Sequence, residues 1–208
     1  MTAVQERRAA QPIASETDYD TLAARFRPLF ADIAEGVVER ERDHVLPYEQ
    51  IDALKKAGFG AVRVPRSHGG SGASIPQLFR LLVELSAADS NITQALRGHF
   101  AFVEDRLVAA DGPDRDTWLR RFADGQLVGN AWTEIGDVPL GEANTKVSPV
   151  PGEAHFFANG TKYYSTGSIF ADWIDLYSQR TDTGAFVIAA VEARQPAVTH
   201  SDDWNGFG

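Results

Sequence analysis

The sequence predicts an α+β protein, with a helical N-terminal domain and a β-domain after it. Three observations lead there. Apolar residues before about residue 125 recur at three- and four-residue steps, as on amphipathic helices, whereas later ones fall in short alternating or continuous runs suited to strands. The helices come first and the strands afterwards, with no internal repeat, which is the order of α+β layers or of two domains. Asn159-Gly160 lies between the apolar runs Phe156-Phe157-Ala158 and Tyr163-Tyr164, a strong short-range hairpin signal.

Taken in order, Leu22, Phe26, Leu29, Phe30, Ile33 and Val37 predict a helix that Pro28 starts or kinks. Tyr48 to Ala57 predicts a short helix stopped by Gly58. Gly69-Gly70-Ser71-Gly72 reads as a structural interhelical loop, because no Lys-Ser/Thr ending of a phosphate loop follows it. Ser74 is placed to cap a helix with Pro76 in its first turn and an apolar stripe at Leu78, Leu81, Leu82 and Leu85. Another helix spans Asn91 to Ala110, and Trp118, Leu119 and Phe122 mark a last one ending at Gly125. Strands follow at Leu127 to Thr133, on both sides of Asn159-Gly160, at Trp173 to Tyr177 and at Ala185 to Val191. The expected division is an extended or disordered stretch at 1–17, a helical domain at 18–125 and an antiparallel β-domain at 126–208.

At 208 residues, 43% of them hydrophobic and 24% charged, the chain can bury one large core or two small ones. A net charge of −9 argues against nucleic acid or an anionic membrane as the main partner. No run approaches the roughly 20 apolar residues needed to span a bilayer. Met1 to Thr17 has no apolar core, so it does not read as a secretory signal, and the expected location is the cytoplasm. With no cysteine there is no thiolate nucleophile or zinc-thiolate site, and His44, His68, His155 and His200 show no metal-ligand spacing. No metal is expected.

Three places could carry chemistry. On a strand leaving Gly160, Thr161, Tyr163 and Ser165 would point one way and Lys162, Tyr164 and Thr166 the other. A ring and a hydroxyl two residues apart can support a flat heterocycle and hydrogen-bond its edge; an ordinary amphipathic hairpin has the same pattern. Thr133-Glu134 sits where the first strand ends. His99 shares a helix face with Ala95, Leu96, Phe102 and Val103, which suits either a satisfied core histidine or a hydrogen-bond and proton donor.

Together these segments resemble the acyl-CoA dehydrogenase family, from about Leu22 to Gly208. Gly58 through Val64-Pro65 to Gly69-Gly70-Ser71-Gly72 is similar to its N-terminal loop signature. Trp132-Thr133-Glu134 stands at its Thr-Glu-Pro flavin motif, and Asn159-Gly160-Thr161-Lys162 through Thr166 at its Asn-Gly-x-Lys-x-Trp-x-Thr motif. By this resemblance Tyr164 packs beside the isoalloxazine, Thr166 lies near flavin N5 and Thr133 meets the pyrimidine edge. Ile135 replaces the family's proline, Gly136-Asp137-Val138 lacks its Ala-Gly-Ser sequel and Tyr164 replaces its tryptophan. These departures, with Gly129-Asn130-Ala131, Arg97-Gly98-His99 and Asp202-Asp203-Trp204, are similar to the flavin-dependent monooxygenase branch that includes dibenzothiophene monooxygenase.

The resemblance implies a two-component monooxygenase using FMN or FAD, reduced flavin from a separate reductase and O2, acting on a small organic substrate, with a sulfur-containing compound the nearest expectation. His99 and Thr166 would be the catalytic residues, as hydrogen-bond donors beside the flavin. Asn130, Trp132, Thr133, Tyr164, Ser165, Thr166 and Trp204 would bind the cofactor. The family fold has a helical domain, a β-barrel-like domain and a C-terminal four-helix bundle; the sequence reads as stopping inside the β-domain, so the bundle and most of a homotetramer interface are expected to be absent. On that view Phe170, Trp173 and Trp204 are expected to be unusually exposed. An acyl-CoA dehydrogenase using FAD, and a truncated non-catalytic interaction module, remain open as alternatives.

Overall fold

The computed structural model describes residues 18–138, 142–204 and 206, so the stretch expected to be extended at 1–17 lies outside it. The described residues fall into two compact units. One runs to Leu96 and resumes from Phe100 to Gln126; the other comprises Arg97–His99 and Leu127–Trp204.

The first unit is helical. Its elements are α1 (Tyr19–Ala24), α2 (Arg27–Ala34), α3 (Val37–Arg42), α4 (Tyr48–Lys56), α5 (Ile75–Ala88), α6 (Ser90–Val108) and α7 (Pro113–Ala123). The single helix expected around Leu22 to Val37 is instead three short ones. Pro28 sits in the first turn of α2, where its missing N–H costs nothing, and Gly36, in the left-handed region at φ 68°, separates α2 from α3. Ser74 caps α5 as expected, in a full capping box with Gln77. Asp89 caps α6, which begins at Ser90, one residue ahead of the expected start.

This unit's core is aromatic. Phe59 meets Phe26, Phe30 and Phe100 edge-to-face at 5.1, 5.7 and 5.9 Å, and Phe102 meets Trp118 at 4.9 Å. The glycine-rich loop folds back on the segment before it. Gly70, Ser71, Gly72 and Ala73 donate their N–H groups to Pro65, Ala61, Val64 and Val62. With those amides used internally, the loop is structural, as the sequence indicated.

The second unit holds β1 (Val128–Ala131), β2 (Lys146–Pro149), β3 (Phe156–Asn159), β4 (Trp173–Arg180) and β5 (Phe186–Glu192). They form one mixed sheet, which corrects the purely antiparallel expectation. β5 runs antiparallel to β4 along Trp173 to Gln179, while β1 pairs parallel with the start of β4 and β2 parallel with its end. Because β5 occupies one edge of β4, β1 and β2 share the other. No α-helix crosses between these parallel neighbours among the described residues; the connections hold other strands of the sheet, loops and a one-turn 3-10 helix at Ser168–Phe170. The sheet does not close into a barrel there.

The tight hairpin at Asn159-Gly160 is also corrected. Asn159 ends β3, whose antiparallel partner is β2 upstream, with Val147 opposite Ala158. Directly after Gly160 no strand follows, only the isolated pairing of Tyr163 with Thr133. Glycine is needed at 160 for close approach: a Cβ there would lie 2.6 Å from Thr145 Cα. Tyr164 then takes the left-handed conformation, φ 54°, which ends any strand alternation.

The sheet's small core is Ala131, Ile174 and Ala193, edged by Leu176, Val191 and Val198. On the opposite face Tyr177 stacks on Phe186 at 5.4 Å, with Trp132 6.0 Å from Tyr177. Of the three side chains expected to be exposed, Trp204 is 60% exposed, whereas Phe170 and Trp173 are half-buried.

Candidate functional site

The site is built on β1 and the segment 163–168, which lies beside it. Tyr163 donates its N–H to the Thr133 carbonyl at 2.9 Å, and Asn130 donates its own to the Thr166 carbonyl at 3.4 Å. Two main-chain bonds thus bring together Asn130, Thr133, Tyr164, Ser165 and Thr166, which the sequence separates by some 30 positions. Ser168 Oγ closes the arrangement by donating to the Asn130 carbonyl at 3.2 Å. Ser165 contributes its carbonyl to the turn, accepting from Ser168 N.

Tyr164 is the strained residue here. Its left-handed backbone carries a penalty that a non-glycine residue bears where the surroundings hold it in place. The ring is 64% exposed and meets Trp204 edge-on, with centroids 6.3 Å apart. Two exposed aromatic rings held beside the Thr133 and Thr166 main chain make a surface suited to a flat ring system. Asn130 adds a polar group: its Oδ1 is buried and has no hydrogen-bond partner.

His99 is 1% exposed. The Val128 N–H donates to its Nδ1 at 3.2 Å, so Nδ1 is unprotonated and the ring proton sits on Nε2. One nitrogen therefore serves the start of β1, two residues from Asn130. Trp132 lies on the Tyr177 face of the sheet, where its Nε1 donates to Asp175 Oδ2 at 3.1 Å. The observed contacts do not join it to Tyr164 or Thr166.

The sequence reading missed the strut beneath the site. Glu134 and Lys162 form a buried ion pair at 2.8 Å, with side chains 8% and 5% exposed. Glu134 also accepts from the N–H groups of Asn144 and Thr145, and Lys162 Nζ reaches the Trp132 carbonyl. Burial alone would raise the Glu134 pKa, but Lys162, Thr145 and the two amides outweigh it and hold the carboxyl at about 2. An acid in one signature stretch and a base in the other, each between a threonine and Ile135 or Tyr163, was the available signal. Among the described residues no three His, Asp or Glu side chains are placed to hold a metal, and no helix is long and apolar enough to cross a membrane.

Comparison with known proteins places these features in context. Residues 18–126 match the family model for the acyl-CoA dehydrogenase N-terminal domain. Dibenzothiophene monooxygenase of Rhodococcus qingshengii is 27% identical over 179 residues, covering 82% of this chain and 42% of that protein. The probable FMNH2-dependent monooxygenase SfnC of Pseudomonas putida is 25% identical over 186 residues, covering 88% of this chain and 45% of its own. FMN-bound TdsC from Paenibacillus sp. A11-2 shares the fold with a TM-score of 0.79 at 24% identity, over 89% of this chain and 47% of that one. Methanesulfinate monooxygenase MsuC from Pseudomonas fluorescens does so at 0.75 and 24%, over 89% and 46%. The chain spans less than half the length of each of these proteins.

Proposed function

The chain belongs to the acyl-CoA dehydrogenase family, and on that premise we propose that its β unit binds a flavin within a flavin-dependent monooxygenase. FMN is the flavin of choice, since it is named for both TdsC and SfnC. The substrate class is a small organic sulfur compound, after dibenzothiophene and methanesulfinate. A separate reductase would deliver reduced flavin, and the whole protein would assemble as a homo-oligomer.

The observation that carries this reading is the Tyr164–Trp204 pair, held by a strained backbone beside Asn130, Thr133 and Thr166. A flavin fits such a surface: its rings meet aromatic side chains, and the orphaned Asn130 Oδ1 offers an acceptor to an N–H or O–H on the ligand. Bound reduced flavin supplies the oxygen chemistry. The chain's own part is to position and shield. Tyr164 and Trp204 limit water at the ring faces, Thr133 and Thr166 offer hydroxyls, and His99 Nε2–H is a donor carried on a ring whose tautomer Val128 fixes. Ile135, where the dehydrogenase motif has proline, favours the monooxygenase over the acyl-CoA dehydrogenase reading.

The test is turnover by the full-length protein with FMN, NADH, a flavin reductase, O2 and an aromatic thioether or alkyl sulfinate. Oxygen transfer to sulfur is expected. Acyl-CoA oxidation with an artificial electron acceptor, and no oxygen transfer, would establish the dehydrogenase instead.

A further inference from the structure

Gly98 lies in the middle of α6, a 19-residue helix, and its main chain belongs to the same compact unit as β1. Glycine is the poorest residue for a helix interior after proline, so its presence there calls for a local reason. The reason is steric. A Cβ built on Gly98 would lie 2.6 Å from Asn130 Oδ1 and 3.2 Å from both Asn130 Cβ and Cγ. The Asn130 side chain is thus seated directly on the helix backbone at the point where a methyl group is missing. Its main chain is fixed independently, by the N–H bond to Thr166 and the Ser168 hydroxyl on its carbonyl. An added methyl could not be absorbed by shifting β1 without breaking those bonds, so the amide itself would have to move. That amide carries the buried, unpartnered Oδ1.

We propose that Gly98 is a positioning residue that sets the seat of the Asn130 amide, so that Oδ1 meets a hydrogen-bond donor of the bound ligand. The ligand part of this rests on the flavin reading above. The seat itself is a property of the folded chain.

The experiment is a double-mutant cycle with Gly98→Ala, Asn130→Ala and the double variant, read by thermal unfolding and by FMN fluorescence titration. In the parent, Gly98→Ala is expected to lower the unfolding midpoint despite alanine's better helix propensity. It should weaken FMN binding about threefold to tenfold, the range for one lost hydrogen bond. In the Asn130→Ala background the same change should lower the midpoint much less and leave FMN affinity unchanged, because the 2.6 Å obstruction by the amide has gone and only the 3.2 Å contact with Cβ remains. Should Gly98→Ala fail to fold, the double variant is still expected to fold, and its failure would overturn the seat. Equal destabilisation by Gly98→Ala in both backgrounds would also overturn it, as would loss of stability with parental FMN affinity. A parent that binds no FMN sinks the flavin reading, and the unfolding cycle then decides the seat alone.

Discussion

The helical unit buries its aromatic rings against one another, whereas the β unit leaves its rings outside. Among the described phenylalanines of the helical unit only Phe79 is exposed; in the β unit Phe156, Phe157 and Phe186 are exposed and Phe170 half-buried, and Tyr163, Tyr164, Trp132 and Trp204 are exposed as well. Both interiors hold polar groups, Arg63, Ser71, Gln77 and Asp89 being buried in the helical unit. The β unit's interior includes His99, Thr145, Ser168, Asp175 and Ser178 beside buried apolar residues that are all aliphatic, from Leu127, Val128, Val147 and Ile174 down to four alanines. The helical unit is built for stability in the ordinary way, by apolar area and ring packing. The β unit spends part of its interior on positioned polar groups and part of its surface on rings, which is how a binding surface differs from a core.

Substitutions sharpen that contrast, and the largest effect belongs to the helical unit. Phe59→Ala removes the ring at the centre of the aromatic cluster and is expected to cost about 3–5 kcal/mol in chemical denaturation. Its unfolding should be visible through Trp118, the helical unit's tryptophan. A loss below 1 kcal/mol would mean that the cluster is not this unit's centre.

In the β unit the corresponding effect is electrostatic. Lys162→Met leaves Glu134 buried without its cation and is expected to cost about 3 kcal/mol, most of it recovered in the Glu134→Gln, Lys162→Met double variant. The acid limb gives an independent reading. The folded Glu134 pKa of about 2 lies below the ordinary carboxylate value of 4.5, so its contribution is full above about pH 4.5 and fades as pH falls toward 2. Glu134→Gln should flatten that part of the acid-unfolding curve. Glu84, held at about 2 chiefly by the Arg27 guanidinium, titrates over the same window in the helical unit. Fluorescence of Trp132, Trp173 and Trp204 against Trp118 therefore assigns the change. A flattened Trp118 signal with the β-unit signal unchanged would contradict the assignment.

A smaller effect tests a local feature. Ser74→Ala removes one half of the α5 capping box and is expected to cost about 1 kcal/mol, read as a shift of the denaturation midpoint. No change would mean that Gln77 alone holds the helix end.

The same contrast explains what could be read from the sequence. The helical stripes were legible because 3.6-residue periodicity and caps such as Ser74 are local signals; only the breaks at Pro28 and Gly36 were merged into one helix. The β unit was less legible. Its parallel pairings of β4 with β1 and β2 join segments far apart in sequence, and β2 itself, Lys146–Pro149, is a mixed polar stretch of four residues. Asn159-Gly160 gave a hairpin signal, but the glycine answers to Thr145 and not to a two-residue turn. The candidate site residues came from motif resemblance. Their convergence through Thr133–Tyr163 and Asn130–Thr166 arises from main-chain bonds that strand alternation did not foretell. His99 shows the limit most plainly: an apolar helix face implied a polar partner, and the partner proved to be the Val128 amide. His99→Asn, which keeps an acceptor for that amide, is therefore the variant that separates the structural bond from any donor role of Nε2.

The central claim is that Tyr164, held in a strained conformation beside Trp204, forms part of a flavin surface. The direct measurement is FMN titration, followed by flavin fluorescence, of the parent and of Tyr164→Gly. Glycine accepts the left-handed backbone without strain, so the unfolding midpoint should hold or rise while the ring is lost. The account predicts saturable FMN binding by the parent and about threefold to tenfold weaker binding by the variant. Equal FMN affinity in a stably folded Tyr164→Gly would contradict it.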